Sequence, residues 1–335
     1  MYKSKLLKII ILLGIVFFIP ILFRENGYIL HLITIIAINL ILAVSLRLIL
    51  LTGHFNLGHA AFAGIGAYTS AILAKKLGLS FFMDLFGAGI FASAIAFLLG
   101  LAILKLRGIY FGLATFTFAS LVRLIILYWD SLTGGPAGIR GIPFPNLFGF
   151  EVATRFGLAY TGLFLAAACL SVIFLIENSR IGTTFKAISQ APDLAESVGV
   201  NVTGYNILAF TIASFFAGIA GGFYGHYITY ISADRFEVFM SIFILIYNIV
   251  GGEASILGPM VGTVFMTLLN EPFRGYTQYE MVFFSISLMV CILLLPDGLI
   301  SIPKKIFPYM ISLAAACGIY SGVKGSEGNP VKKRE

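Results

Sequence analysis

Long apolar segments alternate with short polar ones along the whole chain. A helix that spans a membrane needs about 20 mostly apolar residues. The pattern predicts spans at residues 9–23, 29–51, 56–74, 86–104, 108–128, 156–176, 206–230, 239–270 and 281–302. The segment 239–270 is too long for one crossing and is interrupted near its middle, so we expect it to cross twice or to re-enter the membrane. The predicted fold is an all-α, polytopic transmembrane helical bundle of about nine or ten spans, with one broken or re-entrant helix.

The composition indicates a membrane protein rather than a soluble one. Hydrophobic residues make up 59% of the 335 residues and charged residues only 11%, whereas soluble domains carry about 25% charged residues. The net charge of +7 is accounted for by Lys and Arg in cytoplasmic loops and by contact with anionic lipid headgroups, so no nucleic-acid partner is expected. The cysteines lie far apart in apolar segments, and their spacing predicts no disulfide.

The distribution of Lys and Arg predicts the orientation of the chain in the membrane. Three lysines precede the first apolar segment, and no small-x-small cleavage motif follows it, so we expect a retained first helix and a cytoplasmic N-terminus. The 105–107 turn and residues 177–205 then lie inside, and the 129–155 loop lies outside. Lys75 and Lys76 also fall outside, against the positive-inside rule.

Two regions are predicted, a membrane domain at residues 1–305 and a C-terminal region at 306–335. Residues 306–320 are apolar, but they are few for a span and contain Pro308, and basic residues follow them. We therefore expect an interfacial helix and a basic tail. A tenth span is the alternative.

The longest polar stretch inside the predicted membrane domain runs from residue 177 to 201. Pro192 suits the first turn of a short helix, and Asp193 and Glu196 would then oppose the helix dipole favourably. Leu194 and Val198 are four residues apart, so they would form an apolar ridge on one face. Joining two spans needs only a few residues. We therefore favour a surface that docks a partner over a simple connecting loop.

A second interruption lies inside the long apolar segment 239–270. A regular helix cannot continue through the cluster Gly251, Gly252, Gly258 and Pro259. Irregular backbone at membrane depth is tolerated where it lines a cavity or is buried in protein, and broken helices expose backbone groups that can coordinate a solute. The break is therefore predicted to gate or line a substrate path.

Polar residues within apolar segments are default candidates for function. They are Asn39, Arg47, Asn56, His59, Arg123, Asn248 and Glu253. We expect the two arginines to snorkel to the membrane interface, and Asn56, His59, Asn248 and Glu253 to line the translocation path. The alternatives are hydrogen bonds between helices for Asn39 and Asn248, and a neutral buried imidazole for His59.

The sequence lacks the motifs of an enzyme. Residues 53–58 have the glycine spacing of a phosphate-binding loop, but His59 and Ala60 follow where Lys and Ser or Thr are needed. His54 and His59 are five positions apart, too far round a helix to share a metal ion. We therefore expect no ATPase activity, no metal and no cofactor, so that energy must come from an ion gradient or from a partner.

Four motifs in order resemble those of a known transport family. The first is Ser179-Arg180-x-Gly182, Ala187-Ile188 and Ala195-Glu196-x-x-Gly199-Val200-Asn201-Val202. The others are residues 57–68, residues 106–143 with their Thr133-Gly134-Gly135-Pro136 turn, and Gly251-Gly252 through Gly262. Over roughly residues 29–303 the chain is similar to ABC importer permeases of the branched-chain amino acid, LivM-type family.

The resemblance implies a permease subunit of the cell (inner) membrane that works by alternating access. Its coupling loop, residues 178–201, is called the coupling segment below. The residues implied to contact or serve the ATPase are Arg180, Gly182, Ala187, Ile188, Asp193, Ala195, Glu196, Gly199 and Val200. The implied partners are a second homologous permease, two ATPase subunits and an extracytoplasmic solute-binding protein, which the 129–155 loop could receive.

The chain departs from the family pattern at one place and leaves alternative functions open. Family members usually carry a charged run after the Ala-Ile pair, but here residues 189–192 read Ser-Gln-Ala-Pro, so the ATPase contact is expected to be weaker or matched to a co-adapted partner. The alternative functions are a permease of the same family for urea or amides, and a stand-alone ion-coupled transporter. The latter is disfavoured because Glu253 is the only carboxylate expected well inside an apolar segment. A membrane enzyme is a distant third.

Overall fold

The computed structural model describes residues 17–106, 108–147, 150–273, 282, 285, 286, 288–290, 293 and 298–301. Residues 17–22 are helical. The α-helices that follow are Gly27–Leu50 (α1), His59–Ile72 (α2), Phe81–Ile103 (α3), Ile109–Tyr128 (α4), Asp130–Thr133 (α5), Arg155–Glu177 (α6), Arg180–Gln190 (α7), Pro192–Ser197 (α8), Val202–Ile228 (α9), Val238–Gly251 (α10) and Leu257–Asn270 (α11).

Among the described helices, α1, α3, α4, α6 and α9 are long and apolar enough to cross a membrane. Their apolar residues run all the way round each helix rather than along one stripe, which is typical of helices surrounded by protein and lipid. They match the predicted spans 29–51, 86–104, 108–128, 156–176 and 206–230. The predicted all-α, polytopic membrane bundle is confirmed.

Helices α1 and α9 form the centre of the bundle, and small residues let α9 approach its neighbours closely. A Cβ atom on Gly66 of α2 would lie 2.2 Å from the carbonyl oxygen of Gly218 in α9, and one on Gly221 would lie 1.8 Å from the carbonyl oxygen of Ala63. These helices therefore touch backbone to backbone, as small residues allow in membrane bundles.

The predicted start of two spans is wrong. Helix α2 begins at His59 instead of residue 56, because residues 52–58 are not helical, and one π-helical turn, Leu73–Leu77, extends it. Helix α3 begins at Phe81 instead of residue 86 and carries Asp84, 1% exposed, in its first turn. The apolar pattern placed the start of this span after Asp84 because the residue is charged, but the bundle buries its side chain.

The long apolar segment 239–270 forms two helices, α10 and α11, which pack against each other. Each has 14 residues and is about 21 Å long, shorter than the roughly 30 Å hydrocarbon core. The two backbones are in contact near the turn: a Cβ on Gly251 would lie 1.9 Å from the carbonyl oxygen of Gly258, and one on Gly262 would lie 2.1 Å from that of Tyr247. The predicted break is thus the turn of a helical hairpin.

The two ends of the bundle are built differently. The end that carries the coupling segment is called the coupling end, and the other is called the far end. At the far end, one short antiparallel pair joins the loop after α5 to the loop after α9: Ile139–Arg140 (β1) pairs with Tyr230–Ile231 (β4). A second antiparallel pair lies within the first of these loops, where Asn146–Leu147 (β2) pairs with Phe150–Glu151 (β3). The Lys75 ammonium donates to the Arg140 carbonyl oxygen at 2.7 Å, so Lys75 lies at the far end, the side on which it was predicted.

Several predictions fall on residues that the structure does not describe. They concern the first part of the span at 9–23, most of the span at 281–302, and the interfacial helix and basic tail at 306–335.

Candidate coupling surface and its connection to the bundle

The coupling segment consists of two short helices, α7 and α8. Ser179 caps α7, and its hydroxyl oxygen accepts a hydrogen bond from the Ile181 N–H at 3.1 Å. The apolar residues Ile181, Phe185 and Ile188 recur at helical spacing, yet α7 is not among the predicted helices. This spacing could have predicted the helix, but the many polar residues around it made the stretch look like a loop.

Helix α8 begins at Pro192, as predicted. Its Leu194 and Val198 side chains are 67% and 74% exposed. These two residues, called the apolar ridge below, point away from the bundle. An exposed apolar pair on a short amphipathic helix is the kind of surface that docks into a groove of a partner.

The opposite face of the coupling segment forms its own small core. Ile188, Ala195 and Val202 are buried together, and Val200 and Tyr205 pack against them. Ile188 and Ala195 were expected to serve the ATPase contact, and the structure places them inside the segment, where they hold α7 against α8. Gly199 ends α8 with a φ of +88°, a conformation that favours glycine.

Three of the implied coupling residues, Arg180, Ala187 and Val200, line one open groove of about 470 Å³ on the outer surface of the segment. Asp193 and Glu196 are exposed on α8. The structure thus brings Arg180, Ala187 and Val200 together, and leaves Ile188 and Ala195 behind them as support.

Gly182 fixes the corner between α6 and α7. A Cβ atom there would lie 2.2 Å from the carbonyl oxygen of Glu177. We expect Gly182→Ala to push α7 away from α6 and to reduce solute uptake by the assembled transporter. Gly112→Ala in α4 is the control, because a Cβ on Gly112 would meet nothing closer than 3.6 Å. Unchanged uptake by Gly182→Ala would mean that the corner can move freely.

A buried ion pair connects the coupling segment to the bundle. The Arg47 guanidinium at the end of α1 donates two hydrogen bonds to the Glu177 carboxylate at the end of α6, both at 3.0 Å. Lys186 of α7 lies 3.2 Å from the same carboxylate. Arg47 and Glu177 are buried, so the guanidinium is paired inside the protein at the coupling end, and the prediction that it snorkels out to the membrane interface is wrong. Local sequence does not reveal a partner 130 positions away.

The same arginine reaches the hairpin of α10 and α11. Its Nη2 donates a third hydrogen bond, at 3.0 Å, to the carbonyl oxygen of Glu253 in the turn. The Glu253 side chain is exposed and, with Arg47, Lys186 and Ser189, lines a small cavity of about 120 Å³. Glu253 therefore lies at the coupling end, beside α7, and not at membrane depth as predicted. Arg47, Glu177 and Lys186 are called the ion-pair network below.

Asn56, His59 and Asn248 are buried inside the bundle. His59 Nε2 lies 2.9 Å from the Ser45 hydroxyl, and Asn248 donates to the Ala43 carbonyl oxygen at 3.0 Å, so both contact α1. Hydrogen-bonding capacity is left unused at Asn56 Nδ2, His59 Nδ1 and Asn248 Oδ1. In this conformation the helices of the chain itself enclose all three side chains.

Two hydrogen bonds support the alternative role for Asn39 and Asn248, which is to join neighbouring helices. Asn39 of α1 donates to the Thr267 hydroxyl of α11 at 3.5 Å, and the bond from Asn248 likewise joins α10 to α1. Such bonds fix neighbouring membrane helices against each other.

A buried polar cluster at the far end was not predicted. His226 of α9 donates from Nδ1 to the Pro143 carbonyl oxygen at 2.8 Å, and its Nε2 lies 3.0 Å from the Ser70 hydroxyl and 3.9 Å from Asp84 Oδ2. Asp84 and Glu177 are buried carboxylates. The expectation that Glu253 would be the only carboxylate inside the apolar part of the chain is therefore wrong. A shortage of buried carboxylates consequently does not argue against a stand-alone ion-coupled transporter.

Arg123 of α4 does not simply extend to an interface. It lies 2.7 Å from the Asp234 carboxylate and 3.0 Å from that of Glu237, and its side chain is partly exposed. These contacts tie the far half of α4 to the segment that leads into α10.

Comparison with known proteins identifies the family. Residues 28–295 match the family described as "Branched-chain amino acid transport system / permease component". The chain is 31% identical over 295 residues to the high-affinity branched-chain amino acid transport system permease protein LivM of Escherichia coli K12, covering 81% of this chain and 69% of that protein.

Two further relatives, one enteric and one archaeal, are also named as branched-chain amino acid transport permeases. LivM of Salmonella typhimurium is 32% identical over the same shares, and a probable LivH permease of Methanocaldococcus jannaschii is 23% identical over 81% of this chain and 91% of that protein. No solved structure matches the chain significantly. The chain is a multi-pass membrane protein and belongs to the family of branched-chain amino acid transport system permease components.

Proposed function

We propose that this chain is the membrane-spanning subunit through which a branched-chain amino acid, or a closely related amino acid, crosses the cell (inner) membrane by alternating access. A second homologous permease completes the route, and two ATPase subunits dock on the coupling segment. An extracytoplasmic binding protein delivers the solute at the far end. The permease hydrolyses no ATP itself. The N-terminus and the coupling end are cytoplasmic.

The observation that carries this proposal is the two-sided construction of the coupling segment. Its outer surface presents the apolar ridge and the groove lined by Arg180, Ala187 and Val200. Its inner surface is joined to α1, α6 and the hairpin by the ion-pair network. A push on the outer surface would therefore reach three membrane elements at once, which is what an external source of energy requires.

We propose that Asn56, His59 and Asn248 lie at a closed point of the solute path. Each has a buried polar atom without a hydrogen-bond partner, and such atoms cost free energy unless another conformation or a ligand satisfies them. The hairpin turn, with Gly251, Gly252, Gly258 and Pro259, would open this point because the ion-pair network connects it, through Arg47 and Glu177, to α7. Glu253 belongs to that turn and serves coupling rather than the path.

Reconstitution of the complete transporter in liposomes tests the proposal. With the second permease, the ATPases and the binding protein present, we expect radiolabelled leucine, isoleucine and valine to accumulate only when ATP is supplied on the ATPase side. Parallel assays with urea and with small amides test the alternative solutes. Uptake by the permease chain alone, driven by an ion gradient, would contradict the proposal and support a stand-alone transporter.

A further inference from the structure

A cavity of about 300 Å³ lies between part of the coupling segment and the bundle. Ile188, Ser189, Pro192 and Glu196 of the segment form one wall. The other wall comes from residues 52–54, from the end of α3 and the residues after it, and from the start of α9. Its volume falls at the lower end of the range of about 300–1,000 Å³ typical of small-molecule sites.

The walls carry charges of opposite sign. Lys105 on the bundle side and Glu196 on the segment side both line the cavity, so an ammonium group and a carboxylate are available to one ligand. A small molecule with both a positive and a negative group would match this pair better than a simple anion or cation would, because it would leave neither side chain unpaired.

One buried polar group in the wall has no partner. Asn206 is only 4% exposed, and its Oδ1 atom accepts no hydrogen bond. Buried polar atoms in native proteins are nearly always satisfied, so one that is not calls for an explanation. An amide oxygen beside a cavity can be satisfied by an N–H donor of a ligand.

The remaining wall is partly polar and partly apolar. Leu104, Ile188 and Val202 contribute aliphatic side chains, of which Ile188 and Val202 also belong to the small core of the coupling segment. An aliphatic group of a ligand would gain burial against them, at about 25 cal/mol for each Å² removed from water.

We propose that this cavity is a second amino-acid site, which binds a free zwitterion with an aliphatic side chain from the coupling end. The ligand's ammonium group pairs with Glu196 and donates to Asn206 Oδ1, its carboxylate pairs with Lys105, and its side chain packs on Leu104, Ile188 and Val202. The choice of ligand rests on the proposed function, because the delivered solute is the amino acid that accumulates at this end.

Binding there would slow the transporter. The ligand touches the coupling segment on one side and the bundle on the other, so it favours whichever conformation keeps the two walls at this separation. A ligand shifts a conformational equilibrium by as much as its affinities for the two states differ. Accumulated product would thus hold the segment in place and reduce further uptake.

Equilibrium binding of tritiated leucine to the purified permease–ATPase complex, without the binding protein, tests the site. We expect saturable binding that Asn206→Leu and Lys105→Met each weaken by about tenfold or more, since each tenfold corresponds to about 1.4 kcal/mol. Lys76→Met, which removes an exposed lysine at the far end, is the matched control and should bind like the wild type. Isocaproate, which lacks the ammonium group, and isoamylamine, which lacks the carboxylate, should not displace leucine.

Transport provides the second readout. In liposomes that contain the whole transporter, leucine added on the ATPase side should lower the initial uptake rate of the wild type, and Asn206→Leu and Lys105→Met should lose that inhibition while keeping their rate in its absence. Wild-type leucine binding by both variants, or no binding by an active wild-type complex, would overturn the second site alone. Failure of the wild type to transport any branched-chain amino acid would overturn the proposed function instead.

Discussion

Replacing Arg47 with glutamate should abolish solute uptake and strongly destabilise the permease. The substitution leaves the Glu177 carboxylate buried beside a second negative charge and removes the hydrogen bond to the Glu253 carbonyl oxygen. Removing one partner of a buried ion pair typically costs about 3–5 kcal/mol. The effect can be measured as a lower midpoint of thermal unfolding of the purified complex, together with leucine uptake in liposomes.

Two further variants separate the ion pair from general damage. The exchange Arg47→Glu with Glu177→Arg restores a pair of opposite charges in the same place, so we expect it to recover part of both the stability and the uptake. Lys186→Ala removes a contact from a side chain that is 45% exposed. It should cost less than about 1 kcal/mol, as exposed ion pairs do. Normal stability and uptake in Arg47→Glu would contradict the role of the ion-pair network.

Gly251→Val should also eliminate uptake, because it would force the hairpin of α10 and α11 apart. The new Cβ atom would lie 1.9 Å from the carbonyl oxygen of Gly258. Backbone atoms at such a distance cannot move aside as a flexible side chain can, and overpacking in a tight interior typically costs about 1–3 kcal/mol or more. The amount of folded protein in the membrane and leucine uptake are the two measurements.

Gly112→Ala is the matched control for the hairpin. Gly112 lies in α4 and is also buried, but a Cβ atom there would meet nothing closer than 3.6 Å, which is ordinary contact. We expect this variant to accumulate and transport like the wild type. If Gly251→Val did the same, the close packing of the two half-length helices would not be a feature of the working transporter.

The apolar pattern predicted the long helices well because burial in lipid or protein imposes a simple requirement on every residue of a span. Helices α1, α4, α6 and α9 begin and end within a few residues of their predicted bounds. The pattern failed where a polar residue is buried by a partner distant in sequence. The predicted span 86–104 started too late because Asp84 interrupts the apolar pattern, and Arg47 was expected to snorkel to the membrane interface. Local sequence could not show that His226 lies beside Asp84 or that Glu177 pairs with Arg47.

The coupling surface was partly predictable. Pro192 and the Leu194–Val198 spacing correctly indicated α8 and its ridge. The sequence could not tell which residues of so short a segment face outward, since both of its faces carry apolar side chains. Ile188 and Ala195 therefore entered the expected contact surface, whereas the structure uses them as internal packing.

The most direct test of the account is the affinity of the ATPase subunit for the permease when the apolar ridge is made acidic. We expect Leu194→Asp combined with Val198→Asp to weaken ATPase binding by about tenfold or more. Phe150→Asp, which alters a side chain 79% exposed at the far end, should leave that affinity unchanged. Wild-type affinity in the double ridge variant would contradict the assignment of residues 178–201 as the surface that receives the ATPase.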